Sequence, residues 1–327
     1  MGLYLQENQL SGAIPSSLGS VARLSELNLS QNQLTGPVPT SLGSLPLLSK
    51  LNVSQNQISG PIPMSLGSLP RLTELNLGGN QLTGGIPITP GQFPLLIYLG
   101  LEENQLTGTI PSALGTLSNL QYVNTRHNQL TGGIPTTLGS LTKLTYLNLG
   151  ENQLNGGIPA SLGSLTQLSS LILNANQLTG PIPSLASLTK LLQVWLNSNQ
   201  LTGSIPTFLG SLPDLGILNL SLNQLSGPIP PELGSATKLY YLNLANNSLT
   251  GNLPSPLGNL RFLQTLDLSN NQFSGLLSVL AAKRLGILDS RGTCTLSGNA
   301  GLVFGSGPAY HAADLNHDGF ICLLPVP

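Results

Sequence analysis

The sequence predicts an α/β solenoid, a coil of stacked short repeats, and three observations predict it. Asparagine recurs at steps of 24 residues, with one step of 23, at positions 8, 32, 56, 80, 104, 128, 152, 176, 199, 223, 247 and 271. Leucines lie at fixed offsets before the asparagines, and in eleven of the twelve repeats a segment of Gly, one residue, an aliphatic residue and Pro follows the asparagine. A fixed period in the twenties indicates units that each contribute one strand and a return segment. We therefore expect about 12 repeats of 24 residues.

The repeat Leu144–Gln167 shows the physics of one unit. Strand residues alternate in direction, so Leu147 and Leu149 point inward and Tyr146 points to the opposite face. Asn152 carries both donors and acceptors, and we expect it to bond backbone groups of the bend, with equivalent asparagines forming a ladder. The closing segment is too short for an isolated α-helix, which favours a short 3₁₀ turn or loop.

Composition excludes several classes of function. Charged residues make up 7% of the chain and the net charge is −1, so the basic surface that binds nucleic acid or anionic membranes is missing. No apolar run reaches the roughly 20 residues that a membrane span requires. The histidines lack a nucleophile arrangement and no Gly-rich phosphate loop follows a strand, so we predict that the protein is not an enzyme.

The full unit, LxxLxxLxLxxNxLxGxIPxxLGxL, resembles the plant-type extracellular leucine-rich repeat of receptor-like kinase and receptor-like protein ectodomains and of polygalacturonase-inhibiting proteins. The resemblance covers residues 1 to about 275. It implies a right-handed leucine-rich repeat superhelix with a concave parallel β-sheet, a second smaller sheet, and a convex side of short 3₁₀ and loop segments. It also implies ligand binding on the concave face, and an extracellular or cell-surface location.

The chain departs from that family at both ends. We expect a solenoid domain over residues 1–275 that lacks the family's paired-cysteine N-terminal cap, followed by a degenerate repeat and C-terminal cap over 276–327. Without that cap, a strand edge near residues 3–7 is open to pairing with another chain. This predicts end-to-end self-association as an alternative role.

Candidate binding residues cluster in the middle repeats. The position six before the asparagine holds Tyr98, Tyr122 and Tyr146 in successive repeats, which predicts a stacked column at the strand spacing of about 4.8 Å. Such tyrosines are either binding anchors or residues that simply suit strands. The predicted ligand site is completed by the densest charge cluster and two further aromatic residues: Glu102, Glu103, Arg126, His127, Glu151, Trp195 and Tyr241. The alternative is a solvated charge group without a partner.

The C-terminal segment carries a disulfide prediction and a metal prediction. Cys294 and Cys322, the two cysteines, would pair and staple the last cap, which implies an oxidising compartment. The echo of the repeat around Cys294 places it where the asparagine of a thirteenth unit would lie. Asp314, Asn316 and Asp318 match part of a calcium loop, and a weak calcium site competes with a surface turn. No other cofactor is expected.

Two further patterns concern single side chains. Thr125 replaces an inward aliphatic residue, and we expect its hydroxyl to bond local backbone. Sequons for N-glycosylation begin at Asn28, Asn52, Asn219 and Asn246, so the secreted chain would be a candidate glycoprotein.

The leading hypothesis is a non-catalytic extracellular recognition module. It would bind a protein, peptide or cell-wall oligosaccharide on its concave face, with inhibition of a hydrolase as one form. The alternatives are a self-assembling filament and an ice-binding protein that inhibits ice recrystallisation. The last rests on rows of Gln and of Ser or Thr that recur directly after the asparagine and two residues further on.

Overall fold

The computed structural model describes residues 1–277 and 293–304. The chain divides into two compact units, Met1–Leu168 and Ser169–Pro327. Each unit contains a larger parallel sheet, whose strands precede the repeat asparagine, and smaller parallel sheets, whose strands follow it. Strands are numbered here in chain order, so that odd numbers belong to the larger sheets and even numbers to the smaller ones.

The larger sheet of the first unit has one strand from each repeat, paired in chain order. Its strands are β1 Gly2–Tyr4, β3 Glu26–Asn28, β5 Lys50–Asn52, β7 Glu74–Asn76, β9 Tyr98–Gly100, β11 Tyr122–Asn124 and β13 Tyr146–Asn148. The even-numbered strands are β2 Ser11–Ala13, β4 Gln33–Thr35, β6 Ser59–Pro61, β8 Gln81–Gly84, β10 Gln105–Leu106, β12 Thr131–Gly133 and β14 Gln153–Gly157. The 3₁₀ helices are Ser16–Ser20, Thr40–Ser44, Met64–Ser68, Ser112–Thr116, Thr136–Ser140 and Ala160–Ser164.

The second unit repeats this order. Its larger sheet contains β15 Ser170–Ile172, β17 Gln193–Trp195, β19 Ile217–Asn219, β21 Tyr241–Asn243, β23 Thr265–Asp267 and β25 Thr293–Thr295. Its smaller sheet contains β16 Gln177–Pro181, β18 Gln200–Gly203, β20 Gln224–Gly227, β22 Ser248–Gly251, β24 Gln272–Leu277 and β26 Gly301–Phe304. Its described 3₁₀ helices are Thr207–Ser211, Pro231–Ser235 and Ser255–Asn259.

Leucines from successive repeats fill the interior of each unit. Leu147 and Leu149 are 0% exposed, as the strand alternation predicts, and the same holds for the leucine of the 3₁₀ segment at Leu138 and Leu162. One repeat cannot bury these side chains alone, so each turn is stabilised by its neighbours. The strands pair in register, so that Tyr122 lies opposite Tyr146, and equivalent positions of the repeat form rows across the sheet.

The predicted asparagine ladder is confirmed. Asn152 Oδ1 accepts a hydrogen bond from the backbone N–H of Leu130 at 3.0 Å. Asn152 Nδ2 donates to the carbonyl oxygens of Thr125, Leu149 and Gly150 at 2.9, 3.2 and 3.0 Å. One amide therefore satisfies backbone groups of its own bend and of the preceding repeat, which explains why these positions are asparagine throughout the chain.

The prediction for Cys294 is wrong. The ladder position of the last described repeat is held by Asn299, whose Oδ1 accepts from Phe273 N–H at 3.1 Å and whose Nδ2 donates to the Leu268 carbonyl at 3.0 Å. Cys294 lies in β25, where its Cα partner in β23 is Leu266. The spacing from Asn271 is longer than 24 residues, so an alignment at the regular period puts the cysteine at the wrong position. Cys322 and the residues of the predicted calcium loop lie outside the described residues.

The prediction for Thr125 is also wrong. Its side chain is 0% exposed, yet its hydroxyl oxygen has no hydrogen-bond partner within the described residues. Asn128 Nδ2 and Asn152 Nδ2 both donate to the Thr125 carbonyl, so the ladder satisfies this backbone acceptor and leaves the hydroxyl unbonded. The helices of the described residues are 3₁₀ segments of five residues each, and none has the length or hydrophobicity of a membrane span.

Candidate functional site

The three tyrosines predicted to stack do so on the outward face of the larger sheet in the first unit. The ring centroids of Tyr98 and Tyr122 are 4.3 Å apart with an interplanar angle of 7°, and those of Tyr122 and Tyr146 are 4.5 Å apart at 6°. The in-register pairing of β9, β11 and β13 produces this column, because each tyrosine is the first residue of its strand. The rings are half-buried, and desolvation raises the pKa of Tyr98 and of Tyr122, so both phenols stay neutral at physiological pH.

A second row of asparagines supports this face, and sequence reasoning missed it. In most repeats the last strand residue is Asn, and its Oδ1 accepts the backbone N–H two residues later, as Asn124 does from Arg126 at 3.1 Å and Asn148 from Gly150 at 3.0 Å. Asn124 Nδ2 also donates to the Tyr122 hydroxyl at 3.3 Å. The members of the row, which we call the sheet-face asparagines, are Asn28, Asn52, Asn76, Asn124, Asn148, Asn219 and Asn243.

The row is interrupted beside the tyrosine column. In β9 the residue at this position is Gly100, which has no side chain to accept the backbone N–H two residues later. That N–H belongs to Glu102, one of the acidic residues predicted for the site. The Glu102 side chain lies next to Gly78 of the preceding repeat and Gly100 of its own. If Gly78 had a Cβ atom, it would be 2.7 Å from Glu102 Cδ, and a Cβ atom on Gly100 would be 3.2 Å from Glu102 Oε2. The two glycines therefore leave the space that the Glu102 carboxylate occupies.

The Glu102 carboxylate is incompletely satisfied. Its Oε2 is buried and has no hydrogen-bond partner within the described residues. Desolvation, opposed by a hydrogen bond to its own backbone N–H, raises the pKa of the carboxyl above its ordinary value. A buried acceptor without a partner costs free energy, and a carboxylate costs more than a neutral group. We therefore expect this residue to lower the stability of the fold.

We expect Glu102→Gln to stabilise the protein at pH 7 by on the order of 1 kcal/mol, the lower end of the cost of an unsatisfied buried polar group. The folded-state pKa is raised, so ionisation destabilises the fold above that pKa and the contribution disappears below the unfolded value, near pH 4. The stabilisation measured by thermal melts should therefore shrink as pH falls from 7 to 4. A gain that is equal at both pH values would contradict this account.

The remaining charged residues of the predicted site form an ion-pair cluster in the turns that follow β9, β11 and β13. Arg126 binds Glu151 through two nitrogens, with Nε–Oε1 at 2.8 Å and Nη2–Oε2 at 3.0 Å, and its Nη1 lies 3.3 Å from Glu103 Oε1. His127 Nδ1 lies 3.0 Å from Glu151 Oε2. Desolvation, the largest single contribution, would raise the pKa of Glu151, but the hydrogen bonds from Arg126 and His127 together lower it. Arg126 is therefore engaged within the protein.

Trp195 and Tyr241 belong to the second unit. Their ring centroids are 5.6 Å apart and tilted by 34°, and Trp195 Nε1 donates to Gln193 Oε1 at 3.0 Å. Trp195 also interrupts the row of sheet-face asparagines, and two residues later Asn197 Oδ1 is buried without a partner in the described chain. The sequence grouped these two aromatic residues with the tyrosine column, whereas each set is built by the strands of its own unit.

Comparisons with known proteins agree with this architecture. Models of the leucine-rich repeat match residues 1–58, 24–82 and 118–178, and shorter models match 95–117, 190–212, 214–236, 238–260 and 262–281. A leucine-rich repeat protein of Leptospira interrogans is 30% identical, with 92% of this chain and 78% of that chain covered and a TM-score of 0.68. The chain belongs to the leucine-rich repeat family. No curated protein matches it at a significant level.

Plant receptor structures are similar to this leucine-rich repeat chain. The structure of PEPR1 with AtPEP1 is 34% identical over 94% of this chain and 46% of that chain, with a TM-score of 0.81. The Arabidopsis receptor kinase HAESA, solved with the peptide hormone IDA and the co-receptor SERK1, is 30% identical over 94% and 62%, with a TM-score of 0.70. The chain thus spans about half of the length of these receptor chains. Its repeats are of the plant receptor type that the consensus predicts.

The sequons of the leucine-rich repeats differ in exposure. Asn28, Asn52 and Asn219 are sheet-face asparagines, and in each the serine of the sequon donates its hydroxyl to the asparagine Oδ1 at 2.8 Å. Asn246 lies in the turn after β21 and is exposed. In the folded protein Asn246 is thus the most accessible of the four; glycosylation stays a prediction.

Proposed function

We propose that the protein is a non-catalytic extracellular recognition module that binds a peptide or a peptide-like segment of a protein. The binding surface is the outward face of the larger sheet in the first unit, centred on Tyr98, Tyr122 and Tyr146. The single observation that carries this proposal is the stacked tyrosine column next to an interruption of the sheet-face asparagines. In this repeat a glycine replaces the asparagine that bonds the backbone, and a carboxylate oxygen is buried without a partner. Both features reduce the stability of the fold, which supports a role for this repeat in binding.

The stacked geometry favours a peptide over an oligosaccharide. Both faces of the Tyr122 ring are covered by its neighbours at 4.3 and 4.5 Å, so the column presents ring edges and hydroxyl groups along most of its length. A sugar ring stacks on an aromatic face, whereas a peptide can use edges, hydroxyls and strand-like polar contacts. The peptide ligands named in the similar structures PEPR1–AtPEP1 and HAESA–IDA agree with this choice.

The proposed extracellular location is supported by the same comparison. The plant receptor kinases to which this chain is similar present their repeats as ectodomains, as the resemblance implies. Within residues 1–277 and 293–304, no group of three or more His, Cys, Asp or Glu is placed to hold a metal ion.

We expect simultaneous Tyr98→Ala, Tyr122→Ala and Tyr146→Ala substitution to weaken peptide binding at least about tenfold. Large aromatic side chains at a binding surface commonly contribute more than about 1 kcal/mol each when truncated. The probes are dodecapeptides selected on the wild-type protein from a random display library, and the measurement is equilibrium binding by interferometry.

The matched control for this test is Tyr240→Ala. Tyr240 is 43% exposed in the second unit and its ring lies over Gly216 instead of in the column. The control should bind the selected peptides with wild-type affinity, and circular dichroism should show that both variants remain folded. Undiminished binding by the triple variant would refute the proposed surface, and a library from which the wild type enriches no peptide would refute the proposed ligand class.

A second candidate function follows from a different surface. The glutamines after the ladder asparagines are exposed along the smaller sheets, as at Gln81, Gln105, Gln129 and Gln153, and Thr83, Thr107 and Thr131 form a parallel exposed row. Repeated amides and hydroxyls at strand spacing can order water. An ice-recrystallisation assay tests this role, and Thr131→Val combined with Thr107→Val should abolish inhibition if the row contacts ice.

A further inference from the structure

Four apolar side chains, which we call the apolar stripe, lie on the outward face of the larger sheet in the second unit. Ile172 and Trp195 are register partners at the ends of β15 and β17, and Ile217 and Tyr241 are register partners at the starts of β19 and β21. All four are partly exposed, and the contact between the Trp195 and Tyr241 rings, 5.6 Å between centroids, joins the two pairs. The stripe crosses four strands, a length of about 14 Å at the usual strand spacing.

Two members of the stripe occupy positions that hold a sheet-face asparagine in most repeats. The asparagine there accepts a backbone N–H, as Asn219 does from Ser221 at 3.1 Å, whereas Ile172 and Trp195 offer no acceptor. An apolar side chain at this position loses that hydrogen bond and leaves apolar surface in water. Adjoining exposed apolar side chains on a protein surface are typical of an interaction site.

The face that carries the stripe has no charged side chain. Its strands and the turns that follow them contain no Asp, Glu, Lys, Arg or His, over residues 170–176, 193–199, 217–223 and 241–247. The polar groups are amides and hydroxyls instead, with Gln193 and Asn243 partly exposed in the same strands as the aromatic rings. A charged ligand would lose its hydration here without gaining an ion pair. The surface therefore fits an uncharged ligand.

Trp195 is held in place and keeps an indole face for a ligand. Its Nε1 donates to Gln193 Oε1 at 3.0 Å, and Gln193 Nε2 donates to Ser170 Oγ at 2.8 Å, so the edge of the indole is fixed. The tilt of 34° to Tyr241 excludes a parallel stack, and this is the one aromatic contact of Trp195 among the described residues. Unlike the Tyr122 ring, which is covered on both faces, the indole thus has a face without an aromatic neighbour.

We propose that the apolar stripe binds a neutral β-linked glucan, with one pyranose ring stacked on Trp195. The equatorial substituents of such a ring leave C–H groups on both its faces, and these partly positive groups match the negative face of indole. The Tyr241 hydroxyl accepts from Asn243 Nδ2 at 3.4 Å, so its own proton is left to donate to a sugar oxygen. The inference goes beyond the proposed peptide binding and does not rest on it, since it uses residues of the second unit alone.

The composition of the chain makes the test direct. Trp195 is its one tryptophan, so tryptophan fluorescence reports this face alone. The full chain is titrated with laminarihexaose, with cellohexaose and, as the acidic comparison, with hexagalacturonate. We expect a saturable change in emission with at least one of the two neutral glucans below about 10 mM. Hexagalacturonate should bind at least about tenfold more weakly, because its carboxylates meet no cation on this face.

Calorimetry measures the variants, because it needs no fluorophore. Trp195→Ala should weaken binding of the neutral glucan at least about tenfold, and Trp195→Phe, which keeps an aromatic face, should bind more tightly than Trp195→Ala. The matched control is Phe262→Ala, which removes an aromatic side chain that is 68% exposed outside the strands of the same unit. This control should bind the glucan with wild-type affinity, and circular dichroism should show that all three variants remain folded.

The opposite outcomes overturn the inference. Emission that neither neutral glucan changes up to about 10 mM would refute the glucan site, as would equal binding of hexagalacturonate or undiminished binding by Trp195→Ala. A selected peptide that changes the emission when both glucans fail would show that this face binds protein segments instead. The variant with Tyr98, Tyr122 and Tyr146 replaced by alanine should keep full glucan binding, so failure of the proposed function and failure of this site are distinguishable. Loss of glucan binding in that variant would refute a site confined to the second unit.

Discussion

Asn128→Leu should destabilise the protein by at least about 2 kcal/mol, because a buried backbone group left without its partner costs about 1–3 kcal/mol. Asn128 Oδ1 accepts the N–H of Leu106 at 2.9 Å, and its Nδ2 donates to the carbonyls of Leu101 and Thr125 at 2.9 and 3.2 Å. Leucine has a similar size, so the substitution opens no large cavity and isolates the loss of hydrogen bonds. Chemical denaturation monitored by circular dichroism measures the change.

The control for this prediction is the next residue. Gln129 is exposed, and its backbone N–H donates to the Leu106 carbonyl at 2.8 Å regardless of its side chain. Gln129→Leu should therefore change the free energy of unfolding by less than about 0.5 kcal/mol, as is usual for surface substitutions. Equal effects of the two substitutions would mean that the ladder does not carry the stability that its hydrogen bonds indicate.

Gly139→Ala should destabilise the protein by about 1–2 kcal/mol. A Cβ atom at this glycine of the 3₁₀ helix Thr136–Ser140 would lie 2.3 Å from the backbone carbonyl oxygen of Ser161 in the next repeat. Replacing a glycine by alanine at a permitted conformation stabilises by about 0.4–1 kcal/mol through the unfolded state. Relieving so close a contact with backbone costs about 1–3 kcal/mol, so the packing term wins.

Gly133→Ala is the matched control for the packing argument. A Cβ atom at Gly133 would meet nothing closer than 3.7 Å, at the Asn155 carbonyl oxygen, which is an ordinary contact. We expect its melting temperature to equal or exceed that of the wild type. A lower melting temperature for Gly133→Ala than for Gly139→Ala would show that close approach of successive 3₁₀ segments does not explain the glycine of the repeat.

The repeat itself could be read from the sequence because its chemistry is local. The repeat positions of Leu147 and Asn152 recur at a fixed offset. In a stacked coil the leucine must be buried and the asparagine must bond backbone groups. The same in-register stacking turns a sequence column into a row in space, which is why the contact of Tyr98 with Tyr122 could be predicted. Position in the repeat determined which residues meet.

Features that break the repeat could not be predicted in the same way. The space for the Glu102 side chain depends on glycines at two positions, Gly78 and Gly100. The missing sheet-face asparagine can be noticed only after the row of sheet-face asparagines has been recognised. The signal was present in the sequence as a column in which the last strand residue is not asparagine at Tyr4, Gly100, Ile172, Trp195, Asp267 and Thr295. Cys294 was misplaced for the opposite reason, since a regular period was assumed where the spacing changes.

Hydroxyl-radical footprinting of the tyrosines, with and without a selected peptide, tests the central claim most directly. The claim is that ligand covers the face formed by Tyr98, Tyr122 and Tyr146, and tyrosine rings report solvent access through their oxidation rate. The account predicts that peptide lowers the oxidation of these three rings at least threefold and leaves Tyr240 unchanged. Bound peptide that protects Tyr240 or no tyrosine at all, while the column oxidises at its unbound rate, would contradict it.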